Sequence, residues 1–359
     1  MENRTAAPRG KGLRATAALI GLLVPFTAGG CAVGDAIGGV VGGAADAPAK
    51  SRTTAPPPPP IPALTQAEAK IALALYAKRS NAVHRRLDPR LASSVYTGSS
   101  LQMEIAKYRV FKANRVKIQQ SRYGQTLAAA PLFSAHPKWF FAAMTDRGDS
   151  PAVRDLVVLV QDRAGGPWRA AYTPLSTRKV TGALAPGVDV ADNPAVVPAA
   201  DSSLGTAPGQ VSAAIADVLN QGSRSPHLRS FVLPDWAKER YRALREDRKV
   251  FRRNGWTGTA AYAASRAPVY AVRTKSGGAL VWTAVELRED FRHTGRGNGI
   301  TWEHDSWGDL LKPTTGRSKV NRALTTVERL ELAAYVPPKG RGRIQFLATR
   351  WAPISITGR

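Results

Sequence analysis

One cysteine in 359 residues leaves no partner for an intramolecular disulfide and no basis for a cysteine-ligated metal centre. Histidine is nearly as scarce. The five are His84, His136, His227, His293 and His304, and no two have the HExxH or related spacing that sets two imidazoles on one helix face. No Gly-x-Ser-x-Gly elbow occurs, which removes support for a serine hydrolase. The glycine-rich Gly295-Arg296-Gly297-Asn298-Gly299 lacks the Lys-Ser/Thr ending of a phosphate loop and reads as a turn. No apolar run reaches the roughly 20 residues of a membrane-spanning helix. Acidic residues are few, 26 against 51 basic, for a formal charge of +25. Such a surface attracts phosphate, carboxylate and anionic lipid.

What is present begins at the N-terminus. Arg4, Arg9, Lys11 and Arg14 precede a mostly apolar run over residues 15–26, which ends in Thr27-Ala28-Gly29-Gly30-Cys31. A basic segment, a short apolar run and small residues at a cleavage point describe a secretory signal. The ending resembles the lipobox of bacterial lipoproteins, with Ala28 in place of the usual leucine. That resemblance implies diacylglyceryl transfer to the Cys31 sulfur, cleavage between Gly30 and Cys31, and attachment at the extracytoplasmic face of the cell membrane. An ordinary signal peptide is the plainer alternative, and the position of the single cysteine argues against it. Cleavage there takes away four basic residues and one acidic, so the charge excess persists. Export, and the absence of helix-turn-helix, RNP or zinc-finger patterns, disfavours nucleic acid as a partner.

Residues 31–62 run through a Gly-Gly-Val-Val-Gly-Gly segment to five consecutive prolines, Pro56 to Pro60, and cannot build a core. This composition predicts a disordered tether, flexible at first and then extended polyproline II. A Pro-rich ligand for another domain is the functional alternative, but partner-specific flanks are lacking.

Further along, residues 95–144 lie over 235–284 at a constant offset of 140 without a gap. Val110-Phe111-Lys112-Ala113-Asn114 falls on Val250-Phe251-Arg252-Arg253-Asn254, Tyr96 on Trp236, and His136-Pro137-Lys138 on Ser276-Gly277-Gly278. A second hairpin closes each copy, 156–161 with 168–173 and 327–336 with 343–349. Its offset is near 175, which places an insertion in the second copy at about 289–325. Helices are expected at 67–86, capped by Thr65 with Glu68 three places on, and at 101–112, 211–220 and 236–253. Helices followed by hairpins predict an α+β fold of two tandem domains, 63–178 and 208–359, joined by a linker at 179–207. Each domain would pack N-terminal helices on a curved antiparallel sheet. The element order resembles the NTF2-like and cystatin-like domains found in pairs in uncharacterised lipoproteins of GC-rich bacteria.

Two regions offer candidate sites. The insertion holds His293 and then Trp302, Glu303, His304, Asp305 and Trp307, a density of aromatic and acidic groups around imidazole that suits a binding pocket, an acid/base pair or a metal site. A loop that merely packs its two tryptophans accounts for the same residues. In residues 238–253, Arg242, Arg245, Arg248 and Arg252 stand among eight cations, candidates for contact with an anionic surface or for a solvated helix face. No catalytic set, metal site or cofactor can be assigned from the residues. The leading expectation is a non-enzymatic binding or scaffold protein of the envelope, with anionic headgroups, wall polymers or envelope proteins as partners. The alternative is an envelope hydrolase or small-ligand-binding enzyme centred on 293–309.

Overall fold

The computed structural model describes residues 59–146, 154–176, 189–295, 299–301, 312, 316 and 319–359. The segment 1–30, Cys31, most of the tether, and Trp302, Glu303, His304, Asp305 and Trp307 lie outside the described residues.

The chain is α+β, with helices packed against one large antiparallel sheet. After the two-residue strand β1 (Ile61–Pro62) come α1 (Gln66–Arg86), α2 (Pro89–Ala92) and α3 (Gly98–Ala113). Strands β2 (Tyr123–Ala129), β3 (Leu132–Phe133), β4 (Lys138–Asp146), β5 (Arg154–Gln161), β6 (Arg169–Tyr172) and β7 (Leu175–Ser176) follow. The second half opens with α4 (Val211–Gln221), the short β8 (Phe231–Val232) and α5 (Asp235–Arg253). Its strands are β9 (Trp256–Ala264), β10 (Tyr270–Arg273), β11 (Ala279–His293), β12 (Ile300–Thr301), β13 (Lys319–Val320), β14 (Ala323–Val336) and β15 (Ile344–Gly358).

Local chemistry explains the helix limits. Thr65 accepts the Glu68 amide at 3.2 Å while the Glu68 carboxylate accepts the Thr65 amide at 2.7 Å, a reciprocal cap that starts α1. Leu87 ends it in the left-handed region, φ 48°. The helices α3 and α5 end at Asn114 and Asn254, the pair superposed by the 140-residue offset. The hairpins expected around Arg163-Ala164-Gly165-Gly166 and Lys339-Gly340-Arg341-Gly342 are β5–β6 and β14–β15.

The two halves meet in one sheet. Its order runs β10-β11-β14-β15-β7-β5-β4-β2, so Leu175, which opens β7, joins Thr349 of β15 on one side and Asp155 of β5 on the other. Leu64, Tyr76, Tyr96, Phe140 and Leu159 form a core under the first helices. Leu219, Leu244, Trp256, Val285 and Leu332 form another under α4 and α5. A third cluster lies between strands from opposite ends of the order, because the curved sheet folds over on itself. There Phe141 of β4 sits 4.9 Å from Trp282 of β11, and the Trp282 indole donates to the Leu156 carbonyl at 3.1 Å. Burying apolar strand faces on both sides gives near-continuous hydrophobic runs such as Leu156-Val157-Val158-Leu159-Val160. None of the helices among the described residues is long and apolar enough to cross a membrane.

Candidate functional site

The helix α5 buries Ala237, Leu244 and Phe251, spaced by seven, half-buries Arg240, Asp247 and Arg248 beside them, and turns its opposite face outward. Arg242, Arg245 and Arg252 are exposed, as are Lys238, Lys249 and Arg253. Lys238 pairs with Asp235 at 2.9 Å and Lys249 with Glu246 at 2.7 Å, whereas Arg242, Arg252 and Arg253 have no ion pair among the described residues. Arg245 lies over the Tyr241 ring at 5.7 Å. Arg248 is different, being half-buried with its guanidinium donating to the Ala260 carbonyl of β9. Three of the four arginines singled out in the sequence thus face solvent, and one ties the helix to the sheet. Arg109, Lys112, Arg115 and Lys117, at and beyond the end of α3, are exposed too.

Two buried polar clusters carry no sequence motif. The first spans the halves. Glu104 of α3, 2% exposed, pairs with Arg350 of β15 and with Lys107 at 3.1 Å, and lies 3.4 Å from His84 Nε2. Arg350 also donates to the Thr173 hydroxyl, while Glu331 of β14 accepts from the Thr173 amide and the Ser100 hydroxyl, each at 2.9 Å. The Tyr96 hydroxyl bridges Ser80 at 2.7 Å and His84 Nε2 at 3.1 Å. Burial pushes the Glu104 carboxyl up, but Lys107, Arg350 and His84 outweigh it and hold the group well below the usual carboxylate range. Burial lowers His84 and raises Glu331, the latter against the pull of Arg350. The Glu104–Arg350 pair and the bonds from Ser100 and Thr173 to Glu331 join the two halves as a clamp, although Glu104 Oε2 and His84 Nδ1 are buried without a hydrogen-bond partner.

The second cluster lies beneath α5. Glu289 of β11 is fully buried, with one carboxyl oxygen accepting from Thr326 at 2.7 Å and the other without a partner. Glu328 of β14 pairs with Arg240, whose guanidinium stands 4.8 Å over the Trp351 ring. Asp247 of α5 completes the set: burial and then Glu246 push its carboxyl up to about 7, and burial takes Glu328 to about 7 against Arg240. Burial raises Glu289 well above the usual carboxylate range, with Asp247 and Glu328 adding to it. No group of three or more His, Cys, Asp or Glu among the described residues is placed to hold a metal ion.

These raised values have a pH consequence. In the unfolded chain a glutamate ionises near pH ~4.3, so the folded state keeps protons that the unfolded state loses. The stability these protons contribute is fully present below about pH 4; for Asp247 and Glu328 it is lost as pH rises through about 7, and for Glu289 as pH rises above the usual carboxylate range. Glu289→Gln, a neutral isostere, should therefore flatten the fall in stability between acid and neutral pH and raise the melting temperature at alkaline pH. Melting curves collected across that range check it, and an unchanged slope would refute the assignment.

A pocket of about 390 Å³ opens where β11 and β15 end and β14 begins, at the foot of the insertion. Asp290, Arg292, Ala323, Thr325, Thr357 and Arg359 line it, with Phe291 and Gly358. Asp290 and Arg292 alternate with Glu289 and Phe291. Phe291 stacks on Phe251 of α5 at 4.0 Å, so Asp290 and Arg292 occupy the face away from that helix. His293, the neighbouring residue, packs on Trp256 at 5.1 Å with a buried Nε2 that has no partner. His136, in the β3–β4 turn, contacts the Gln161 side chain at 3.1 Å.

The sequence model of the family described as Domain of unknown function (DUF8094) matches residues 60–355, which takes in both halves and both buried clusters. The chain belongs to that family. No curated protein and no solved structure matches this DUF8094 member. The match begins within the Pro-rich tether and ends in β15.

Proposed function

We propose that this DUF8094 protein is a lipid-anchored, extracytoplasmic binding or scaffold protein of the cell envelope, non-enzymatic, that holds anionic headgroups or wall polymers through the outer face of α5. Cys31 supplies the anchor and residues 32–62 the tether. The folded part is read as two tandem NTF2-like or cystatin-like units. The matched order α1, α3, β2, β4, β5 and α4, α5, β9, β11, β14, with helices ending at Asn114 and Asn254, supports that division. The observation that carries the binding reading is the row of exposed arginines on α5 that have no ion pair among the described residues.

Reversing Arg242, Arg245 and Arg252 to Glu, with Arg248 left in place to hold Ala260, tests the reading. Each cation near an anionic membrane is worth about 1 kcal/mol, so the triple variant should bind anionic vesicles about a hundredfold more weakly at low salt. Co-sedimentation measures it. Unchanged affinity at low salt would reduce the patch to a solvated helix face.

A second reading, a small-ligand-binding protein or hydrolase centred on 293–309, draws support from the pocket beside Arg292.

A further inference from the structure

The lining of that pocket is specific in its chemistry. The one side-chain carboxylate among its described lining residues, Asp290, is already occupied: Thr325 donates to it at 2.8 Å, and Arg288 engages both oxygens through Nε and Nη2, the latter at 3.0 Å. The Arg288 charge is therefore neutralised. Arg292 and Arg359 are exposed and have no ion pair among the described residues. Two guanidiniums with no ion pair among the described residues, set around a concavity, hold a positive potential there and present fork-shaped donors that match a carboxylate or phosphate. The exposed Thr357 adds a hydroxyl able both to donate and to accept. Its size lies near the lower end of the range for small-ligand pockets, about 300–1,000 Å³.

We propose that this pocket binds a monosaccharide-sized acidic sugar, its acid group held by Arg292 and Arg359 and its hydroxyls facing Thr357 and the Asp290–Thr325 pair. The inference gives the second reading its ligand class and rests on that reading's pocket, not on the α5 surface. The ligand is either a free sugar acid or the end of an envelope polymer, because both present the same carboxylate and hydroxyls.

Calorimetric titration of the full chain with D-glucuronate, a disaccharide ending in non-reducing glucuronate, D-glucose and sulfate tests it. Saturable binding of glucuronate or of the disaccharide is expected, at least tenfold tighter than glucose and sulfate. Binding of the monosaccharide identifies a free acid, and binding of the disaccharide alone identifies a polymer end. Arg292→Gln with Arg359→Gln should weaken it tenfold or more at unchanged melting temperature, and Thr357→Val should weaken the sugar acid while leaving sulfate unaffected. No binding of either glucuronate ligand, or equal binding by the double variant, would overturn the proposal. Vesicle binding by the double variant should equal that of the wild type, so failure here and failure of the α5 reading are separable.

Discussion

Arg350→Leu is expected to lower the unfolding free energy by about 3–5 kcal/mol, the usual cost of removing one partner from a buried ion pair. The side chain of Arg350 is only 16% exposed and that of Glu104 only 2%, so solvent can do little to compensate the glutamate left behind. The direction with pH follows. Glu104 is held well below its ordinary value, and its stabilising contribution is present above the unfolded value near pH ~4.3 and lost as pH falls below it. In the variant, with Arg350 gone, that advantage shrinks at neutral pH, so the gap from wild type should be widest there and narrow in acid. Denaturant titration at two pH values gives both numbers. Because Glu104 belongs to the first half and Arg350 to the second, the same experiment asks whether the halves unfold as one. A single transition in wild type that splits in the variant would show the clamp coupling them. A loss below about 1 kcal/mol at neutral pH would mean the network contributes little.

Cys31→Ala is expected to shift the protein from the membrane to the soluble fraction, or to leave an uncleaved precursor. Each acyl CH₂ buried is worth about 0.8 kcal/mol, and a diacylglyceryl group on the sulfur, with its two acyl chains, makes attachment durable where one chain gives only marginal binding. The cationic surface cannot replace it at physiological ionic strength, where charges are screened beyond about 8 Å. Growth with a labelled fatty acid, followed by fractionation, reads the anchor directly. Label in the wild type and none in the variant is the expected pair. Equal incorporation in both would remove the lipoprotein reading.

The helices and hairpins were legible because each is written locally. Thr65 and Glu68 announce the start of α1, Asn114 and Asn254 close their helices at matched positions, and glycine turns separate apolar runs. The joining of the halves was not legible. It depends on Leu175, near the end of the first expected domain, contacting Thr349 and Asp155 across long sequence separations. The buried clusters left a trace that pattern reading passed over. Glu328, Arg329 and Glu331 interrupt an apolar strand at buried positions, where charge must find a partner or give up its proton. Their partners, Arg240 for Glu328, Glu286 for Arg329, and Ser100 and Thr173 for Glu331, lie 43 or more residues away, so no spacing rule connects them. The density of cations on α5 was plain from composition. That Arg248 anchors the helix while Arg242, Arg245 and Arg252 face outward follows from packing on β9. The pocket escaped because Arg292, Thr325 and Arg359 converge only when three strands align in register.

Binding of the unacylated polypeptide 59–359 to vesicles tests the central claim most directly, because without the acyl chain only the protein surface can hold it. Measured against anionic and zwitterionic vesicles, at low salt and at physiological ionic strength, the account predicts binding to the anionic surface alone, steeply weakened as salt screens it. Equal binding to both vesicle types, or none to either at low salt, would contradict it.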